Sequence, residues 1–147
     1  MHVKQLSLFV ENQPGALARP CRLLADAGLS IRTMSLADTA RFGILRMILR
    51  EWDRARALLE QAGYAVNVTD ITALEVPDRP GGLASILEAV QAAGVNVEYL
   101  YACTVKHDRK GDTGILVFRF NAPDRAAEAL ARAGIRVVGP EDLFAVI

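Results

Sequence analysis

Apolar residues alternate with polar ones through residues 3–10, placing Leu6, Leu8 and Val10 on one side, and again through residues 71–76, placing Leu74 and Val76 on one side. A period of two predicts strands. After each strand the period lengthens. Leu17, Cys21, Leu24 and Ala25 recur at helical spacing within residues 16–27, and Leu83, Ile86, Leu87, Val90 and Ala93 repeat that spacing more regularly. Gly28 and Gly94 read as helix stops. The β-branched and aromatic content of residues 29–36 and 95–102 predicts second strands, and residues 44–49 and 115–120 predict third strands. The intervening turns span residues 38–43 and a longer stretch, 106–114. Asp53 and Asp124 open second helices, with Pro123 suited to a first helical turn, and Gly63 and Gly134 close them before short strands at 65–69 and 136–138. The predicted order is βαββαβ, twice.

The two passes are copies of one unit. A shift of 66 positions carries Pro14 onto Pro80, Gly15 onto Gly81, Leu17 onto Leu83 and Gly28 onto Gly94. A shift of 71 then carries Gly43-Ile44-Leu45 onto Gly114-Ile115-Leu116 and Asp53-Arg54-Ala55 onto Asp124-Arg125-Ala126. The reading is therefore α+β, with two ferredoxin-like units at 1–69 and 70–147. Each is a four-stranded antiparallel sheet with its helices on one face. The helix-covered face takes Leu8, Val10, Ile31, Leu45, Met47 and Leu49 in the first unit. The opposite face would carry Phe9, Met34, Ile44 and Ile48, and in the second unit Ile71, Ile115 and Val117. An apolar open face expects a cover, so a homodimer packed through sheet faces or edges is predicted. Residues 143–147, Leu-Phe-Ala-Val-Ile, lie outside the repeat and read as an extra C-terminal strand.

Composition narrows the function classes. Among 147 residues, 52% are hydrophobic, and 17 Lys plus Arg balance 17 Asp plus Glu. No net field draws this chain to nucleic acid or an anionic membrane surface. No apolar run approaches the ~20 residues of a membrane span, and the chain starts directly on a strand pattern, so a cytoplasmic protein is expected. Cys21 and Cys103 fall at non-matching repeat positions, and no Cys/His ladder accompanies them. Neither a disulfide framework nor a bound metal or cofactor is predicted.

The elements and motifs together resemble the ACT domain family. They are Asn12-x-Pro14-Gly15-x-Leu17 between strand and helix, Gly28-Leu29-Ser30-Ile31 after it, and the second pass through Pro80-Gly81-x-Leu83 and Gly94-Val95-Asn96-Val97. The resemblance covers both units. It implies a small-molecule sensor, most often for an amino acid, in which one domain's turn faces its neighbour's second strand. It also implies a non-enzymatic regulator read by a separate partner enzyme.

A free amino acid presents a carboxylate and an ammonium, so its receptor needs oriented N–H donors and oxygen acceptors. Backbone N–H groups of Gly15, Ala16 and Leu17 supply donors, and the helix dipole adds ~0.3 to 1 kcal/mol. The expected site comprises Asn12, Gln13, Pro14, Gly15, Ala16 and Leu17 with Asn96 and Val97 as the facing wall, where Asn12 and Asn96 hold the ammonium. Pseudo-symmetry predicts a second site from Asp78, Arg79, Gly81, Gly82 and Leu83 facing Ser30, Ile31 and Arg32. There Asp78 and Arg79 either hold the ligand's two charges or neutralise each other. Pro20, inside the first predicted helix, removes the bond to the Ala16 carbonyl and should kink or loosen the turn. Read blandly, the two Pro-Gly turns only start helices and the asparagines only cap them. Cys103, His107 and Asp108 suggest nucleophilic chemistry, but they sit at or beside a charged hairpin with no zinc spacing. Three readings follow: a metabolite sensor, a ligand-free scaffold or regulatory subunit that docks an enzyme, and a small ferredoxin-like enzyme.

Overall fold

The computed structural model describes residues 2–38, 40–108 (the last four by backbone alone) and 111–147. The chain divides into two compact units, Lys4–Thr69 and Asp70–Ile147, the latter joined by the start of the chain up to Val3. In the first unit the elements are β1 (Val3–Glu11), α1 (Ala18–Asp26), β2 (Thr33–Asp38), β3 (Phe42–Ile48), α2 (Trp52–Gln61) and the first residues of β4 (Val66–Pro77). The strand order is β2-β3-β1-β4, with β1 and β3 antiparallel in the register Leu8↔Leu45. The rest of β4, α3 (Gly82–Ala92), β5 (Val97–Asp108), β6 (Gly111–Phe120), α4 (Pro123–Arg132) and β7 (Val137–Val138) repeat that plan, in the order β5-β6-β4-β7. Each unit is ferredoxin-like, as the periodicity predicts.

The helices cover the predicted face. Leu6, Leu8, Val10, Leu45 and Met47 of the first sheet pack with Leu24 of α1 and Ala55 and Leu59 of α2 in one core. Leu74, Val76, Phe118 and Phe120 pack with Ile86, Val90, Ala126 and Leu130 in the other, where the Phe118 and Phe120 rings stack at 5.5 Å. Met34 departs from expectation. It pairs with Met47, so it lies on the helix side of β2, and it stays exposed because β2 is the outer strand.

The second strands begin later than the apolar runs suggest, because the helix closure uses their first residues. The Gly28 N–H bonds the Ala25 carbonyl and the Leu29 N–H reaches back to the Leu24 carbonyl at 2.9 Å, with Gly28 at φ +74°. This is a Schellman closure, and buried Leu29 is its apolar partner rather than a strand residue. Val95, bonded to the Val90 carbonyl after Gly94, does the same in the second unit. Conversely, β5 and β6 run through much of the predicted 106–114 loop, pairing as far as Asp108↔Gly111. A backbone ladder needs no apolar side chains to continue.

The C-terminal tail is not a strand. Pro140–Val146 forms α5, with Pro140 at the first helical position, Glu141 and Asp142 in the first turn, and Leu143 fully buried. A five-residue apolar run does not distinguish strand from helix. The deciding signals lie just before it: a proline preset for a first turn, and two acids that favour the positive helix start. Arg136 ties α5 to the sheet, its guanidinium donating to Glu75 on β4 at 3.0 Å and to Asp142 on α5 at 3.2 Å. Ile71, Ala73, Ile115 and Val117, on the same sheet face as Glu75, are buried. In the first unit the corresponding face leaves Phe9 60% and Phe42 46% exposed.

Candidate functional site

The two Pro-Gly segments form the same turn. The Ala16 N–H bonds the Gln13 carbonyl at 3.2 Å and the Gly82 N–H bonds the Arg79 carbonyl at 3.0 Å, with φ of +83° at Gly15 and +84° at Gly81. Proline at the second position and a positive-φ glycine at the third make these type II turns. Each turn is anchored from behind, since the Asn12 N–H donates to the Arg41 carbonyl and the Asp78 N–H to the Asp112 carbonyl, both at 2.9 Å. Of the three donors expected at the first turn, Ala16 is therefore consumed by the turn itself. Among the described residues, no acceptor takes the N–H of Gly15 or Leu17.

The turns diverge where they enter their helices. α3 starts at Gly82, but α1 starts at Ala18, two positions later than its repeat equivalent, Ala16. Both helices end in register, at Asp26 and Ala92. The Arg19 N–H bonds the Gly15 carbonyl at 3.2 Å, and the next bond, from residue 20 to the Ala16 carbonyl, has no donor because residue 20 is proline. Pro20 thus delays α1 and leaves residues 16–17 as turn. In the second unit, a Cβ on Gly82 would lie 2.1 Å from the Pro77 carbonyl oxygen, so α3 sits against the end of β4 at a distance only glycine permits.

Two cavities flank the first turn. One, about 270 Å³, is lined by Glu11, Asn12, Gln13, Pro14, Leu17, Leu36 and Asp38 with Val10 and Gly43. The other, about 440 Å³, joins the turn to Phe9, Glu11, Arg19, Phe42 and Tyr64. Arg19 stacks on the Tyr64 ring at 5.5 Å and donates to the Ala62 carbonyl at 3.4 Å, while the Gln13 amide donates to the Glu11 carboxylate. Glu11, Arg19, Asp38, Phe42 and Tyr64 escape a sequence reading centred on the turn. Arg19 alone is signalled there, one helical turn after Gly15 on the same face.

The second turn has the same pair of cavities. One of about 210 Å³ is lined by Asp78, Arg79, Leu83 and Leu116, and one of about 510 Å³ by Glu75, Arg79, Pro80, Gly81, Gly82, Ser85, Thr113 and Arg136 among others. Asp78 and Arg79 are exposed, and no ion pair joins them among the described residues.

Asn96 precedes β5 in the second unit, with its backbone N–H bonded to the Asn121 side chain at 3.0 Å and its carbonyl accepting from the Asn121 N–H at 3.1 Å. Its side chain is exposed, and Val97 is half-buried. Asn12 belongs to the first unit, as do Ser30, Ile31 and Arg32 in the link between α1 and β2. Cys103 lies on β5, whereas the His107 and Asp108 side chains fall outside the described residues. No group of three or more His, Cys, Asp or Glu among the described residues is placed to hold a metal ion. No helix among them is long and apolar enough to cross a membrane.

A ferredoxin-like unit used twice, with a Pro-Gly turn repeated at the start of each first helix, defines the class of tandem α+β domain pairs. The chain belongs to the ACT domain pair family, whose profile matches residues 1–147. It is similar to the crystal structure of protein BT0572 from Bacteroides thetaiotaomicron, at 33% identity over 98% of this chain and 96% of that one, with a TM-score of 0.86. The fold is shared with the regulatory subunit of aspartate kinase from Thermus thermophilus in its ligand-free form. That likeness has 17% identity over 90% of this chain and 93% of that one, with a TM-score of 0.62. The Thermus flavus regulatory subunit matches at 20% identity over the same shares, also with a TM-score of 0.62. No curated protein matches the chain in sequence.

Proposed function

We propose that this chain is a non-enzymatic sensor that binds an amino acid at its first turn, acts as a homodimer and regulates a separate metabolic enzyme. One observation carries the reading: among the described residues no protein acceptor takes the Gly15 or Leu17 N–H, while Glu11 lines the cavities on both sides of the turn and Asn12 and Asp38 line the one beside Leu17. Donors for a carboxylate and oxygens for an ammonium thus stand at one turn, the complement of a zwitterion. The expectation that Asn96 and Val97 complete the site belongs to this proposal. So does the Asp78–Leu83 turn with Ser30 and Ile31 as a second amino-acid site.

The regulatory role rests on family membership and on the fold shared with a kinase regulatory subunit. Ligand would favour one arrangement of the units, and the partner would read the difference.

A thermal-shift screen against the twenty amino acids tests the ligand. At ~100 times its dissociation constant, the right amino acid stabilises the fold by about 2.7 kcal/mol. Asn12→Ala and Asn96→Ala should each weaken that shift, and an Asn96→Ala variant that binds normally removes Asn96 from the site. The exposed Phe9 and Phe42 favour a second reading, a ligand-free subunit that docks its enzyme through this sheet face. Absence of a shift with every amino acid, together with unchanged melting of Asn12→Ala, selects that reading.

A further inference from the structure

The larger cavity of the second unit differs chemically from its repeat equivalent. Where the first unit has Gln13, Arg19 and Ala65, the second has Arg79, Ser85 and Arg136. The first cavity's guanidinium is laid across Tyr64 and bonded to the Ala62 carbonyl. The second cavity instead presents two guanidinium groups. Arg79 has no acidic partner among the described residues, and Arg136 is held in place by Glu75 and Asp142. Glu75, the one carboxylate among the described lining residues, is engaged by Arg136, which leaves the Arg79 guanidinium as the charge without an acidic partner among them. Pro80, Ile86 and Ile135 supply an apolar wall. At about 510 Å³ the space falls in the range of small-molecule sites.

We propose that this cavity binds a small branched monocarboxylate that lacks an ammonium group, such as a 2-oxo acid, and that α5 reports its occupancy. The carboxylate lies between Arg79 and Arg136, and its alkyl end rests on Pro80, Ile86 and Ile135. Arg136 makes the coupling. Its Nη1 serves the cavity through Glu75 and its Nη2 serves α5 through Asp142, so a second anion on the cavity side draws the guanidinium toward the cavity and away from Asp142. Binding therefore loosens the tie to α5 without requiring a change in the sheet. This site lies in a different unit from the first turn and in a different cavity from the one lined by Asp78 and Leu83, takes a different ligand class, and does not depend on the amino-acid reading.

Titration calorimetry on the full chain with 2-oxoisovalerate and, separately, with valine tests it, since the two share a carbon skeleton and differ in the oxo and ammonium groups. The oxo acid should bind at least tenfold more tightly than valine. Arg79→Gln, an exposed change that leaves the fold intact, should weaken it at least tenfold, and Arg136→Gln should do the same. Asn12→Ala should leave it unchanged. Amide hydrogen exchange in residues 143–147 should speed up on binding. Several results would overturn the proposal: no binding at millimolar oxo acid, tighter binding of valine, affinity indifferent to both arginine variants, or affinity lost in Asn12→Ala. Binding with unaltered α5 exchange would remove the reporting role.

Discussion

The backbone of Gly82 and the carbonyl of Pro77 approach so closely that a Cβ on Gly82 would sit 2.1 Å from that oxygen. The contact is with backbone at the end of β4, which cannot swing aside as a side-chain tip would. Its repeat equivalent, Ala16, already carries a Cβ. Gly82→Ala should therefore displace the start of α3 and destabilise the protein by about 1 to 3 kcal/mol. Denaturant titration measures the loss, and a Gly82→Ala protein as stable as the parent would show that the approach is not tight.

Pro20 makes a converse prediction. Pro20→Ala restores the donor for the Ala16 carbonyl, so α1 should begin two residues earlier, as α3 does. Pro20 is buried, and the lost packing offsets the gain in helix bonding, so net stability should change by no more than about 1 kcal/mol. Amide exchange reads the result directly: the new N–H at residue 20 should be protected. Rapid exchange at that position would assign the late start of α1 to another cause.

Burial raises the Cys21 thiol above its ordinary pKa. The protonated form is the one favoured in the fold, so its contribution to stability is complete below the unfolded thiol's pKa, about 8.5, and is lost as pH rises through the folded value. Stability should fall on the alkaline side, and Cys21→Ser should flatten that limb. Thiolate supply also limits alkylation, so Cys21 should react with iodoacetamide more slowly at pH 8 than it does in the denatured chain. Equal rates in the two states would contradict the shift.

The repeated plan of each unit is legible because its signals are local. Alternation marks β1 and β4, helical spacing marks α1 and α3, and Gly28 and Gly94 mark their ends. The turns are equally legible, since proline followed by glycine encodes a type II geometry in two residues. Leu29 was less so. An apolar residue after a glycine stop reads as the start of a strand, yet the Schellman bond to Leu24 claims it for the helix. The tail misleads for a related reason: its apolar run is ambiguous, and only the preceding Pro140, Glu141 and Asp142 indicate a helix.

By itself the sequence determined the order of elements within each repeated unit, the two-fold use of that unit, the helix-facing core and the position of both Pro-Gly turns. The repeat follows from matching the chain to itself, and the rest from residue spacing within about a dozen positions, where backbone geometry converts period into face. Only the tertiary structure decided what surrounds the turns. Tyr64 meets Arg19 from 45 residues away, and Arg136 reaches Glu75 from 61 residues away. Such neighbours are set by how strands pair and how helices close, and no periodicity records them. The same holds for the donors: the Ala16 N–H reads as available in the sequence, and the folded turn spends it on Gln13.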